Sequence, residues 1–271
     1  MTSLQVLICD GNHITSLEPL RHSALKELSC AENSLTDLDP IQYMPSLRRL
    51  HIPGNKIASL TALTESGLDD VDCSDNPVND LHPVLVHPPI HLSFDCDSIP
   101  DNQLEQAVSA WHATSPANAL TARILLLVRN HDRSGLLAQA HDLNGRRVLA
   151  MDCSRDRASA DRLCRELGGH LVDILSDQDY DAIRAMGPRH HSGNGTWGTS
   201  SLWVGLQSRG AQFLASDGTA AHYLGSNIRA NPSGSMQSMI YYSTQGFDNH
   251  LHIFLEWPRS VHLPFVIAWD P

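Results

Sequence analysis

The sequence predicts an α+β chain in two modules, a short solenoid followed by a mixed α/β domain. Three observations carry that prediction. A seven-position pattern recurs at a fixed period over the first third of the chain. Hydrophobic alternation of period two, the period of a half-buried strand, sits inside each copy. Beyond residue 121 the repeat gives way to strand-like runs interleaved with amphipathic helices and a tight-turn dipeptide.

The repeat is clearest over residues 25–38, which read Leu-x-x-Leu-x-Cys-x-x-Asn-x-Leu-x-x-Leu. One copy lies upstream, at Leu4, Leu7, Cys9, Asn12, Ile14 and Leu17. Two lie downstream, at Leu47, Leu50, Ile52, Asn55, Ile57 and Leu60, and at Leu68, Val71, Cys73, Asn76, Val78 and Leu81. The asparagines are 21, 22 and 21 residues apart. The pattern resembles the leucine-rich repeat. Each copy supplies a short strand, an Asn that turns the chain and bonds backbone of neighbouring coils, and a Leu that closes the coil. One coil cannot bury its own apolar face, so the coils must stack. Cys9, Cys30 and Cys73 occupy the position that Ile52 fills in the third copy, so they are expected to be small buried hydrophobes.

The solenoid is assigned to residues 1–98. Its first coil starts at Leu4 with no shielding segment before it, the pattern expected of a fragment. The positions around each Leu-x-Cys pair face the concave surface. They are Gln5, Val6, Ile8 and Asp10, then Lys26, Glu27, Ser29 and Ala31. Arg48, Arg49, His51 and Pro53 follow, then Asp69, Asp70, Asp72 and Ser74. A basic coil lies beside an acidic one. Candidate recognition residues are therefore Arg48, Arg49, His51, Asp70 and Asp72. The plainer account is that Arg48 and Arg49 neutralise Asp69 and Asp70 across adjacent strands.

After Leu81 the pattern degrades, because Pro83, Pro88 and Pro89 forbid regular helix. Leu92, Phe94 and Cys96 alternate as a last strand. A helix is expected from Pro100 to Trp111, with Leu104, Ala107, Val108 and Trp111 on one face. Residues 99–120 are read as a capping helix and linker, with 115–118 a connector. Residues 122–128 read as an apolar strand. Residues 136–141 and 147–151 read as two more, with Asn144-Gly145 as the turn before the last. A helix follows from Ser154 to Leu167, closed by Gly168-Gly169. Residues 170–174 alternate as a strand. Ser176 then caps a helix over 177–186, with Asp179 at the capping-box position. Residues 187–200 are loop, and 202–206 form a buried strand.

The second module, residues 121–271, resembles a C-type lectin-like domain. The resemblance is carried by Ala160 and Cys164 on the first helix and by Gly168, Gly169, His170 and Leu171 after it. Trp203-Val204-Gly205-Leu206, the Ser216–Thr219 turn and Pro264-Phe265-Val266-Ile267 at the end complete it. It implies a binding domain in which the helix Cys pairs with a Cys of the last strand. That second position is Ile267 here, so the fold must hold by packing without this cross-link. Sugar-binding members hold calcium with an acidic-Pro-Asn loop and a Trp-Asn-Asp strand. The corresponding residues are Asn231, Asp248 and Asn249. Calcium takes about six to eight oxygens. The loop acid is missing, the Asn-Asp order is reversed, and one carboxylate remains. No cofactor is therefore expected, with calcium at Asn231, Asp248 and Asn249 as the alternative.

Charge and composition narrow the partners. The net charge is −11, of which residues 1–98 carry 14 acidic and 5 basic side chains. An acidic solenoid is a poor partner for nucleic acid or an anionic membrane. The longest apolar run, residues 124–128, is far too short to span a bilayer. There is no basic segment followed by an apolar core of the kind that marks secretion. Six cysteines, three of them repeat-core positions, are not a disulfide framework. A cytoplasmic location is expected, with signal-independent export the other route. His250 and His252, with His222 or Asp248, could share a zinc ion, although solvated histidines account for them as simply. Cys153 and Cys164 lie near several arginines, yet no Cys/His/Asp constellation can be assigned. The sequence thus points to a non-enzymatic protein that recognises a protein partner, with glycan recognition through the second module as the alternative.

Overall fold

The computed structural model describes residues 4–95, 97–155, 157–174, 176–186, 201–203, 205, 207–209, 212–215, 217, 219, 228–230, 239–241, 251–254 and 263–271. The chain divides into two compact units, Met1–Leu126 and Leu127–Pro271.

The first unit is built on five parallel strands in sequential order. They are β1 (Val6–Ile8), β2 (Glu27–Ser29), β3 (Arg49–His51), β4 (Asp70–Asp72) and β5 (His91–Ser93). Their registers superpose the repeat. Leu7, Leu28, Leu50, Val71 and Leu92 are matched across the sheet. Short 3-10 turns, Glu18–Leu20, Asp39–Tyr43, Thr61–Leu63 and His82–Val84, carry each chain along the opposite side. Leu28, Cys30, Leu50, Ile52, Val71 and Cys73 are buried to 1% exposure or less, so the cysteines are core atoms as the repeat register implied.

The asparagines form a ladder. Asn33 Oδ1 accepts from Ile14 N, Asn55 Oδ1 from Leu35 N, and Asn76 Oδ1 from Ile57 N, each at 2.9 Å. Each carbonyl thereby satisfies a backbone N–H of the coil before it. The amide of each then donates to that preceding coil and to its own: Asn55 Nδ2 reaches Cys30 O and Ile52 O, and Asn76 Nδ2 reaches Ile52 O and Cys73 O. Turning the chain falls to the residue before each Asn. Gly11, Glu32, Gly54 and Asp75 all have positive φ, between 49° and 67°. Glycine meets that conformation without a Cβ penalty, and the other two coils accept the strain.

Helix α1 (Asp101–Trp111) follows, with Leu104, Ala107 and Trp111 fully buried. Trp111 Nε1 donates to Val84 O at 3.1 Å, and Gln103 Oε1 accepts from Leu81 N at 2.7 Å. Helix α2 (Pro116–Arg129) begins with two more contacts of the same kind. Asn118 Oδ1 accepts from Leu92 N, and its Nδ2 donates to Pro89 O. The last strand is thus satisfied by side chains from helices, one of the ways an exposed sheet edge is blunted. The expected strand at 122–128 and connector at 115–118 are both corrected here: they are α2. Pro116 starts the helix, where its missing N–H costs nothing.

In the second unit, Asp132 Oδ1 accepts from Gly135 N and caps α3 (Arg133–Gln139). The expected strand at 136–141 is therefore corrected to a helix followed by β6 (His141–Leu143). A hairpin joins β6 to β7 (Arg146–Arg155) through Asn144-Gly145, with φ of 53° and 84°. Positive φ at both turn residues is what a two-residue hairpin demands. Then come α4 (Arg157–Glu166), β8 (His170–Leu171) and α5 (Asp177–Met186), where Ser176 Oγ accepts from Asp179 N. Strands β9 (Ser201–Trp203), β10 (Gln207–Arg209), β11 (Gln212–Leu214), β12 (Ile228–Ala230), β13 (Met239–Tyr241), β14 (Leu251–Phe254) and β15 (Leu263–Trp269) complete it. The main sheet runs β12-β14-β13-β9-β15-β7-β6, with β8 also on β15.

Strand β15 is the spine of this unit. Phe265, Val266, Ile267, Ala268 and Trp269 are all buried, and Trp269 Nε1 donates to Leu167 O at 3.0 Å. Ile267, which stands where the resemblance places a cysteine, is fully buried in this row. Gly169 is required by proximity: a Cβ there would lie 2.5 Å from Ala268 O. An ion pair is buried nearby. Arg146 Nη2 lies 2.9 Å from Asp179 Oδ2, Asn144 Nδ2 donates to Asp179 Oδ1, and Arg146 Nη1 donates to Asp173 O. Helix α5 is thereby tied to the β6–β7 hairpin by fully engaged polar groups. A buried pair is tolerated on those terms.

Candidate functional site on the concave strands

Strands β1 to β5 project two rows of side chains beside the buried central leucines. One row is Val6, Glu27, Arg49, Asp70 and His91; the other is Ile8, Ser29, His51, Asp72 and Ser93. Parallel strands about 4.8 Å apart place neighbours of a row within reach of one another. The charges consequently interlock.

Arg49 reaches back to β2. Its Nη2 and Nε lie 2.6 and 3.0 Å from Glu27 Oε2. Glu27 is 4% exposed, whereas the Arg49 side chain is 43% exposed. The sequence reading had Arg49 neutralising acids of the next strand; the ion pair formed is with Glu27 of the preceding one. Arg48 turns to the backbone, donating to Pro45 O and Leu47 O. This holds one guanidinium beside the other.

His51 and Asp72 form the second pair, with Nδ1 3.2 Å from Asp72 Oδ2. The other oxygen of Asp72 is fixed by Ser74 N at 3.0 Å and Ser74 Oγ at 2.6 Å. Asp10 is fixed in the same way: its Oδ1 accepts from Ser29 Oγ at 2.7 Å and Ala31 N at 2.8 Å. Crowding by the protein disfavours charge on His51. The hydrogen bond to Asp72, with the charges of Asp72, Asp10 and Asp70, outweighs that and holds the imidazolium above its ordinary range. The side chain is 42% exposed, so water softens the opposing penalty and the upward direction stands.

Of the sequence-predicted residues, Arg48, Arg49, His51, Asp70 and Asp72 therefore come together on adjacent strands. Sequence reasoning placed Asp10, Glu27, Ser29 and Ser74 on this face and gave them no part in the site; the structure makes them the partners that fix its charges. Their strand positions were the available signal. Asn231, Asp248 and Asn249 lie outside the described residues, as do His222, His250 and the loops at 187–200 and 231–237. The repeat thiols are poor nucleophiles. Burial pushes Cys30 up to about 12 and raises Cys9 and Cys73 as well. No helix among the described residues is long and apolar enough to cross a membrane.

Residues 23–65 match the family model described as Leucine Rich repeats (2 copies), so the α+β chain carries leucine-rich repeats in its first unit. Among solved structures, the chain is similar to an internalin C2 from Listeria monocytogenes strain 4b F2365. The identity is 32%, the match covers 34% of this chain and 42% of that one, and the TM-score is 0.32. It is also similar to the C-type lectin domain of murine dendritic cell inhibitory receptor 2, solved in complex with N-glycan. There the identity is 16%, the coverage 49% and 96%, and the TM-score 0.39. The carbohydrate-recognition domain of the human scavenger receptor C-type lectin gives 18% identity, 49% and 96% coverage, and a TM-score of 0.37. The chain spans under half the length of the internalin it matches. No curated protein sequence matches it. Leucine-rich repeats and lectin-like domains are binding folds, typically without enzymatic activity, and typically take protein or carbohydrate.

Proposed function

We propose that this chain is a non-enzymatic binding protein whose concave strand face recognises a protein partner. The observation that supports this is the set of interlocked charges. Arg49 is half-exposed yet held on Glu27, and Asp72 and Asp10 are each clamped by backbone and hydroxyl donors. Charges fixed before binding lose little entropy on association and impose register on a partner. Glycan recognition through the second unit is the alternative; it rests on Asn231, Asp248 and Asn249, and a calcium titration addresses it below. Raised, buried thiols agree with a binding role and with a reducing, cytoplasmic setting.

The test uses the whole chain, because α2 runs through any cut between the units. A photo-crosslinking residue at Arg48 should trap one partner. Arg49→Glu should lower its recovery about tenfold, while Arg162→Glu on the surface of α4 should leave it unchanged. Equal recovery with Arg49→Glu would remove the concave face from recognition.

A further inference from the structure

The pairing of His51 with Asp72 does more than fill the concave face. Strand β4 brings Asp72 and Asp70 to it, and the first coil brings Asp10. From β2 come uncharged Ser29, matched to His51 in register, and Glu27, which is paired with Arg49 of the ring's own strand. Arg49 is thus already neutralised, and the proton on His51 is the charge that offsets Asp72. Neither Asp72 nor Asp10 turns away readily when that proton leaves, because Ser74 holds the one, and Ser29 and Ala31 hold the other.

We propose that His51 is a proton switch that sets the charge of the concave face and so makes binding there depend on pH. The proton passes between the ring and solvent, and the ring is 42% exposed. When it leaves, the neutral ring can keep its Nδ1–H toward Asp72. The hydrogen bond survives while the positive charge is lost, and the face becomes one unit more negative. The fold holds this proton more tightly than an unfolded chain does. Its contribution to stability is therefore complete below the unfolded value of about 6.5 and is lost as pH rises through the folded value. The switch consequently works in the neutral range, upward of the ordinary histidine value. It rests on the concave face being the binding surface.

The experiment has two arms on the full chain. NMR titration of the histidine rings, with His51→Gln to assign the resonance, should show His51 titrating above its ordinary value, and Asp72→Asn should move it down. Binding of an oligolysine peptide should be tighter at about pH 8 than at about pH 5.5. That ratio should exceed the ratio in His51→Gln by about two- to fivefold, the worth of one exposed charge pair. An unshifted His51, or one indifferent to Asp72→Asn, overturns the switch and leaves the binding face intact. A coupled titration with the same peptide ratio in both proteins overturns the binding face instead.

Discussion

Replacing Asn76 with alanine tests the ladder where it is deepest. Asn76 is 2% exposed. Its Oδ1 accepts from Ile57 N at 2.9 Å, and its Nδ2 donates to Ile52 O at 2.9 Å and to Cys73 O and Ser74 O at 3.1 Å. Ile57 is fully buried, so no water replaces the lost acceptor. Each buried polar group left without a partner costs about 1–3 kcal/mol. One N–H and at least one carbonyl are orphaned, which sums to about 2–5 kcal/mol. Asn12 is the control. It is exposed and bonds only within its own coil, to Cys9 O and Asp10 O, so Asn12→Ala should cost about 1 kcal/mol or less. A chain of two units does not melt in one step, so the measurement is hydrogen exchange over residues 50–60. Asn76→Ala should speed exchange there at least about 30-fold, and Asn12→Ala by about fivefold or less. Equal acceleration by the two variants would mean that the strand ladder and core hold the coils without the asparagines.

The buried pair of the second unit makes a sharper prediction of the same sort. Arg146→Ala leaves Asp179 buried without its cation and should cost about 3–5 kcal/mol in thermal melting, a loss that the double variant Arg146→Met, Asp179→Leu largely recovers. Iodoacetamide followed by peptide mass spectrometry should modify Cys9 slowly and Cys30 and Cys73 only after unfolding, since burial suppresses their thiolates; fast labelling of Cys73 in the folded chain would contradict its core position. Millimolar calcium should leave the melting of the second unit unchanged, and a rise that Asp248→Asn abolishes would instead support the sugar-binding alternative.

The solenoid was legible because its signal is redundant. Four asparagines at one period fix the register of every strand, so even an isolated Cys is assigned by its equivalents. The second unit offered single segments, each read alone. Residues 122–128 are apolar all round one short stretch, which suits a strand or a buried helix equally. The deciding cue was Pro116, a good first helical residue that also reads as a breaker. Residues 133–139 hid in the same way, since Asp132 reads as loop until its carboxylate is seen on Gly135 N. At the concave face, sequence identified the charged positions but not their pairing. Arg49 lies between an acid on each neighbouring strand, and only side-chain geometry shows which it takes.

The one longer coil shows how such a surface tolerates change. Asn33 and Asn55 are 22 residues apart, against 21 for the other pairs. The turn between them, Asp39–Tyr43, has five residues where its three counterparts have three. The pairing of β2 with β3 nevertheless keeps the register of the rest of the sheet. Length variation is therefore absorbed behind the strands and never reaches the residues in front. Insertion or loss at the back edits the spacer, substitution at the front edits the message, and whole coils can be duplicated without rewriting either.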